Sequence, residues 1–125
     1  TAKPGFRGYY TNNSTIHNNV MTDNSSYGVV MFLDSDGNSI TNNTMSENIY
    51  GGISLERNVI NTTISGNTLS NNESFGIYLR SNANYTTVTN NTMTQNGLVN
   101  MHGGIYMSDV HHNTITSNTI TISSL

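Results

Sequence analysis

Cysteine is absent from the 125 residues, which excludes disulfides, thiolate nucleophiles and Cys-based metal sites and leaves the redox compartment unread. Charge is nearly as scarce. Charged residues make up 9% of the chain, the formal net charge is −3, and no basic block or stripe exists to neutralise a line of phosphates. Nucleic acid is therefore not an expected partner. Apolar residues reach only 34%, against roughly 45–50% in an ordinary globular domain. The longest apolar run, Gly28 to Leu33, falls far short of the roughly 20 residues that span a bilayer, and no basic-then-apolar leader opens the chain, so membrane insertion is not expected. The chain opens at Thr1 rather than Met, which fits either export with removal of a leader or a piece of something longer.

Asn, Ser and Thr are abundant instead, together 55 of the 125 residues. Such a bias suggests disorder unless a repeat explains it. A repeat with a 24-residue period does: Ile16, Ile40, Ile64, Val88 and Ile115 fall into one column, and Asn19, Asn43, Asn67, Asn91 and Asn118 into another. Met21, Met45, Leu69, Met93 and Ile120 follow two residues later, and Gly28, Gly52, Gly76 and Gly104 form a glycine column. Gly104 arrives late, because four residues are inserted around Gly97 to Met101 and one is lost again before Ile115.

Each period carries short alternating segments, such as Gly76-Ile77-Tyr78-Leu79 and Thr63-Ile64-Ser65, bounded by Asn, Ser and Gly clusters. That is the pattern of half-buried strands separated by turns, and no sustained 3.6-residue period argues for helix. The fold expected is all-β, a right-handed parallel β-helix of about five coils stacked at about 4.8 Å. One domain spans 1–125, with coils near 5–18, 19–42, 43–66, 67–90 and 91–117 and a final partial coil at 118–125. An Asn two residues before an inward apolar side chain can itself point inward at a bend, where its amide bonds the coils above and below. The Asn19, Asn43, Asn67, Asn91 and Asn118 column is read as such a ladder. The plainer alternative is that Asn stands there only to permit a left-handed backbone angle.

Strings such as Asn42-Asn43-Thr44-Met45-Ser46-Glu47-Asn48, followed by Gly52-Ile53-Ser54-Leu55, resemble the parallel β-helix repeats of the NosD-like and carbohydrate-binding/sugar-hydrolase (CASH) group. The likeness covers nearly the whole chain and implies the fold. For function it implies a wide range, from polysaccharide lyases and epimerases to copper-maturation proteins and surface proteins. Enzymes of that group cluster acidic and basic side chains on one sheet face. This sequence has few charges and a single short insertion, so no catalytic residue, cofactor or metal is assigned.

Several residues nonetheless carry candidate chemistry. Asp23 and Glu47 share a column, continued by Asn71 and Gln95, and could act as an acid and base pair or bind a cation, but no Lys, Arg or His shares the column and a solvated edge is the preferred reading. Asp34-Ser35-Asp36-Gly37-Asn38 looks like part of a calcium loop, but Phe32 stands at the first ligand position and no acidic residue closes the loop, which favours a turn. His102, His111 and His112 lie near the irregular fourth coil, where neighbours on an extended strand point to opposite faces and cannot share one ion. Glu56 and Arg80, one coil apart, are expected to form an exposed pair of about 0.2–1 kcal/mol. Tyr78 and Tyr106 share a column and, with Asp23 and Glu47, form a possible carbohydrate contact. Thr and Ser columns flanking Ile40, Ile64, Val88 and Ile115, and again Met45, Leu69, Met93 and Ile120, resemble the ice-binding faces of solenoid antifreeze proteins, broken by Ser replacements and His17. Asn12, Asn13, Asn24, Asn42, Asn61, Asn72, Asn84 and Asn90 satisfy the glycosylation sequon, a slight excess over the roughly six that this composition yields by chance.

Solenoids usually cover their end coils, and here the segments flanking the repeat, Thr1 to Pro4 and Ile122 to Leu125, are too brief to shield one. The chain also comprises close to a whole number of coils, so copies could stack head to tail with their columns in register. The expected function is a non-catalytic structural protein, extracellular or at the cell surface, glycosylated, with copies of itself as partners in a filament or sheath. The alternatives are a carbohydrate-binding or carbohydrate-processing module and, third, an ice-binding solenoid.

Overall fold

The computed structural model describes residues 2–99 and 102–122. Among the described residues fifteen short strands form three parallel sheets of five, and every strand pairs with its counterpart one period away. The first sheet, A, holds the longer strands β1 (Phe6–Tyr9), β4 (Tyr27–Phe32), β7 (Gly51–Glu56), β10 (Phe75–Arg80) and β13 (Ile105–Ser108). Sheet B holds β2 (Thr15–His17), β5 (Ser39–Thr41), β8 (Thr63–Ser65), β11 (Thr87–Thr89) and β14 (Thr114–Thr116). Sheet C holds β3 (Val20–Thr22), β6 (Thr44–Ser46), β9 (Thr68–Ser70), β12 (Thr92–Thr94) and β15 (Thr119–Thr121). The chain is a parallel β-solenoid.

The columns expected from the repeat are the observed register. Ile16 pairs with Ile40, Ile40 with Ile64, Ile64 with Val88 and Val88 with Ile115. The insertion is absorbed between β12 and β13, where Ile77 pairs with Ile105, and the compensating loss falls in the turn before β14. Alternation along each strand sends one set of side chains inward, and Ile40, Met45, Ile53, Leu55, Ile64, Leu69, Ile77, Leu79, Val88 and Met93 are fully buried. Glycine in the column before Val29, Ile53 and Ile77 is required by close approach. A Cβ on Gly52 would collide with Leu69 Cδ2 and stand 2.7 Å from the Gly76 carbonyl oxygen.

Buried polar groups demand partners, and the Asn ladder supplies its own. Asn67 Oδ1 accepts hydrogen bonds from Asn43 N at 2.9 Å and Asn43 Nδ2 at 3.1 Å. Asn67 Nδ2 in turn donates to Ile40 O at 2.9 Å and Asn91 Oδ1 at 3.0 Å, so one side chain ties together three coils. The left-handed backbone falls on the residue before each rung: Asn18, Asn42, Gly66, Asn90 and Ser117 have φ between 55° and 67°. The rung residue is therefore chosen for its amide and its predecessor for the bend. A second ladder, Asn24, Asn48, Asn72 and Asn96, repeats the same bonds at the next corner, after the left-handed residues Asp23, Glu47, Asn71 and Gln95.

Replacing Asn67 with Ala takes the acceptor from Asn43 N and a donor from Ile40 O in the interior, and the loss is expected to be about 3 kcal/mol. Thr68→Ala, one residue along and exposed, should change stability by less than about 1 kcal/mol. Urea unfolding of the two variants measures the difference.

Candidate functional site

Because each rung has a donor side and an acceptor side, the two faces at the ends of the stack differ chemically. On the face formed by β1–β3, Oδ1 of Asn19 and Oδ1 of Asn24 accept no hydrogen bond from the described residues, although both residues donate to the next rung. On the face formed by β13–β15, the backbone N–H of Asn118 finds no acceptor among the described residues, and its Nδ2 turns back to Thr116 O at 3.0 Å. The apolar columns open on that second face as well. Met107, Ile115 and Ile120 are 47%, 36% and 48% exposed, whereas Leu79, Val88 and Met93 one coil inside are at 0%. The first face carries Ile16, with Phe6 and Met21 half-buried, in the corresponding columns.

The outer wall of sheet A is unlike the other two. Tyr27, Gly51 and Phe75 share a column, and the missing side chain at Gly51 lets the Tyr27 ring lie across β7, with Cδ1 3.3 Å from where a Cβ would stand. Ser54 and Glu56, both on outward columns, are covered as a result, to 0% and 3% exposure. Ser54 Oγ donates to Glu56 Oε1 at 2.7 Å, and Arg80 Nη2 donates to Glu56 Oε2 at 2.5 Å. The pair is not the exposed one expected from the sequence, because the sequence pattern marks Glu56 as outward but does not show that a neighbouring coil's tyrosine folds over it. Burial, and then the nearby Glu56 charge, push the Tyr27 hydroxyl up to about 12, opposed by its hydrogen bond with Ser54. The hydrogen bond to Glu56 comes first among the causes that hold the Arg80 proton more firmly than usual, partly offset by burial.

Beside this network Phe75 stacks on Tyr78 at 4.5 Å between ring centroids and on His102 at 4.9 Å. Tyr78 and Tyr106 do share a column, but they meet edge to face at 5.3 Å with planes 66° apart, so they do not form one flat platform. Asp23 and Glu47 lie elsewhere, at the corner that follows sheet C, with φ of 56° and 57°; their column is the left-handed bend before the second ladder.

The remaining candidates are placed as follows. Asp34 and Asp36 border a polar groove of about 650 Å³ with Asn12, Asn13, Asn58, Asn82 and Asn84, and their carboxylates accept from Asn58 Nδ2 at 3.0 Å and Asn61 Nδ2 at 2.9 Å. Ser35 and Asn38 of the same stretch are buried, so it does not gather its oxygens around one point. His111 and His112 have ring centroids 6.4 Å apart, and His112 stacks on Tyr85. Among the described residues no three His, Cys, Asp or Glu side chains come together. The Thr and Ser columns line the outer walls of sheets B and C, where His17 is tied to Thr41 at 2.8 Å. Of the sequon residues, Asn12, Asn13, Asn42, Asn61 and Asn90 are exposed. Asn72 is buried, and its Nδ2, the atom a glycan would join, donates to Met45 O and Asn96 Oδ1; Asn24 Nδ2 is likewise committed to Asn48. Those two are rungs rather than acceptors, the more clearly so for Asn72.

The sequence reading missed the second ladder, although Asn24, Asn48, Asn72 and Asn96 stand at the same 24-residue spacing as the first. It also missed Tyr27, whose column holds Gly and Phe and so gives no repeat signal.

With its folded value raised above the ordinary value of 10, Tyr27 favours the folded state fully below about pH 10, and that contribution drains away as pH rises towards about 12. Wild-type stability should therefore fall faster across this window than that of Tyr27→Phe, and absorbance titration should show one of the seven tyrosines ionising last. Equal slopes for the two proteins would remove Tyr27 from the network.

Residues 1–120 match the family described as "Right handed beta helix region". Comparison with curated proteins and with solved structures returns no match. The NosD-like likeness of the repeats fits the family match without being fixed by it. Parallel strands in register over five coils and a match across nearly the whole length agree: the chain belongs to the right-handed β-helix family.

Proposed function

We propose that this protein is a structural unit that works by stacking coil upon coil with copies of itself, forming a filament or sheath outside the cell. One observation carries the reading. The apolar columns that are buried one coil inside are open at β13–β15, where Met107, Ile115 and Ile120 are exposed. Exposed apolar side chains on strands with an unpaired edge suit another strand-bearing surface. A surface that continues the three parallel strands at the same spacing would cover them, and β1–β3 of a second copy is the surface we assign to that role. Exposed turn residues Asn12, Asn13, Asn42, Asn61 and Asn90 would be available for glycosylation on the side of such an assembly.

Electron microscopy of the concentrated 125-residue protein, with sedimentation across a dilution series, tests the reading. Filaments one solenoid wide that shorten on dilution are expected. A monomer at all concentrations, with the amides of β13–β15 as protected as those of β10–β12, would overturn it.

A second reading, a carbohydrate-contacting wall, draws on the exposed rings of His102 and Tyr106 packed against Phe75 and Tyr78, with the Arg80 guanidinium over the Tyr78 ring. Exposed aromatic rings near a guanidinium suit sugar ring faces and hydroxyls. A glycan-array screen of wild type and Tyr106→Ala checks it. Binding that drops at least tenfold in the variant supports the reading, and no binding to any glycan removes it.

A further inference from the structure

We infer that Asn96 is a latent modification site: when its corner of the solenoid opens, its side-chain amide is lost to the neighbouring Gly97, and the product cannot rejoin the ladder. Of the 22 Asn in the chain only Asn96 stands before Gly. An Asn loses its amide when the backbone nitrogen of the next residue attacks its Cγ. A side chain on that next residue, above all a β-branched one, obstructs the approach. The first ladder is screened in this way, since Val20, Thr44, Thr68, Thr92 and Thr119 follow its rungs. The second ladder has Ser25, Ile49, Glu73 and Gly97 after its rungs, so its last rung alone has no screen.

Both members of the reactive pair are fixed by the fold. Asn96 is buried, its Oδ1 accepts from Asn72 N at 3.2 Å and Asn72 Nδ2 at 2.8 Å, and its Nδ2 donates to Leu69 O at 2.8 Å. Gly97 has φ of 78°, and a Cβ there would collide with Gly103 N, so no other residue can take its place. The same packing keeps the pair inert, because the Gly97 N–H donates to Asn72 O at 2.9 Å. Attacking nitrogen and amide carbon are each held by another coil. Opening frees both. Gly97 N then gives its proton to solvent base and bonds to Asn96 Cγ, while the Cγ–Nδ2 bond breaks and Nδ2 leaves as ammonia with a proton from solvent. Water adds across one of the two C–N bonds of the resulting five-membered imide, giving Asp, or isoaspartate with one extra carbon in the main chain. Neither product returns to the ladder. A carboxylate has no N–H for Leu69 O and brings a charge into a buried corner. The reaction consumes only water and runs one way, so the chain keeps a permanent mark of having opened there.

The test incubates the whole chain at mildly alkaline pH, in buffer and in urea sufficient to unfold it, and follows each Asn by peptide mass spectrometry. Asn96 is expected to convert before every other Asn in urea, and at least about tenfold more slowly in the folded chain. Converted chain returned to buffer should exchange its Asn72 and Gly97 amides at least about tenfold faster than unconverted chain taken through the same steps. Asn96→Asp, made directly, should show the same loosening and separates this change from other damage done in urea. The rate comparison uses unaltered protein, so it stands even where Asn96→Asp fails to fold. Equal conversion of Asn96 in buffer and in urea, or another Asn converting ahead of it in urea, overturns the site. Converted chain whose Asn72 and Gly97 amides are as protected as before overturns the claim that the product is shut out of the ladder.

Discussion

Everything in this molecule depends on side-chain amides that bond to copies of themselves one coil away. A solenoid with only 34% apolar residues has a narrow core, and three-residue strands contribute few backbone bonds each. Two columns of Asn fill the corners, where a turning backbone would otherwise leave polar groups unmatched. Each interior rung both donates and accepts, so no buried amide is left without a partner along the column. The bends that aim these side chains inward place non-glycine residues in the left-handed region, at a cost of about 1 kcal/mol each. The ladder offsets that cost at every corner it occupies.

The same interaction gives the fold its polarity. A hydrophobic column is indifferent to direction, but an amide that accepts from one side and donates to the other is not. The coil faces at the two ends therefore differ, and the difference is chemical rather than one of shape. The stacking proposal extends this rule from coils within the chain to coils of neighbouring copies.

Much of this was legible in the sequence because stacking converts a linear period into contact. Ile16, Ile40, Ile64, Val88 and Ile115 align by number and lie against each other in space, and even the displaced Gly104 told where the extra residues are accommodated. The rung column was legible as an inward ladder; the competing idea, that Asn stands there to permit a left-handed angle, is removed by the backbone angles, which put the bend on Asn42 and leave the amide to Asn43. Asp23 and Glu47 stand at the left-handed position before the second ladder, which accounts for their shared column. What the period could not reveal lies where it breaks. Gly51 interrupts an aromatic column, Tyr27 leans over the gap, and Glu56 passes from surface to interior without any change in its own column. Side chains that reach across coils obey the neighbours they find, not the repeat.

Residue-resolved amide hydrogen exchange as a function of protein concentration tests the central claim most directly. The ladder account predicts slow exchange at the Asn43 and Asn67 amides at every concentration. The Asn118 amide should exchange freely in dilute solution and become protected as copies stack onto it. An Asn118 amide equally exposed in dilute and concentrated samples, or an Asn67 amide that exchanges as fast as those of the turns, would contradict the account.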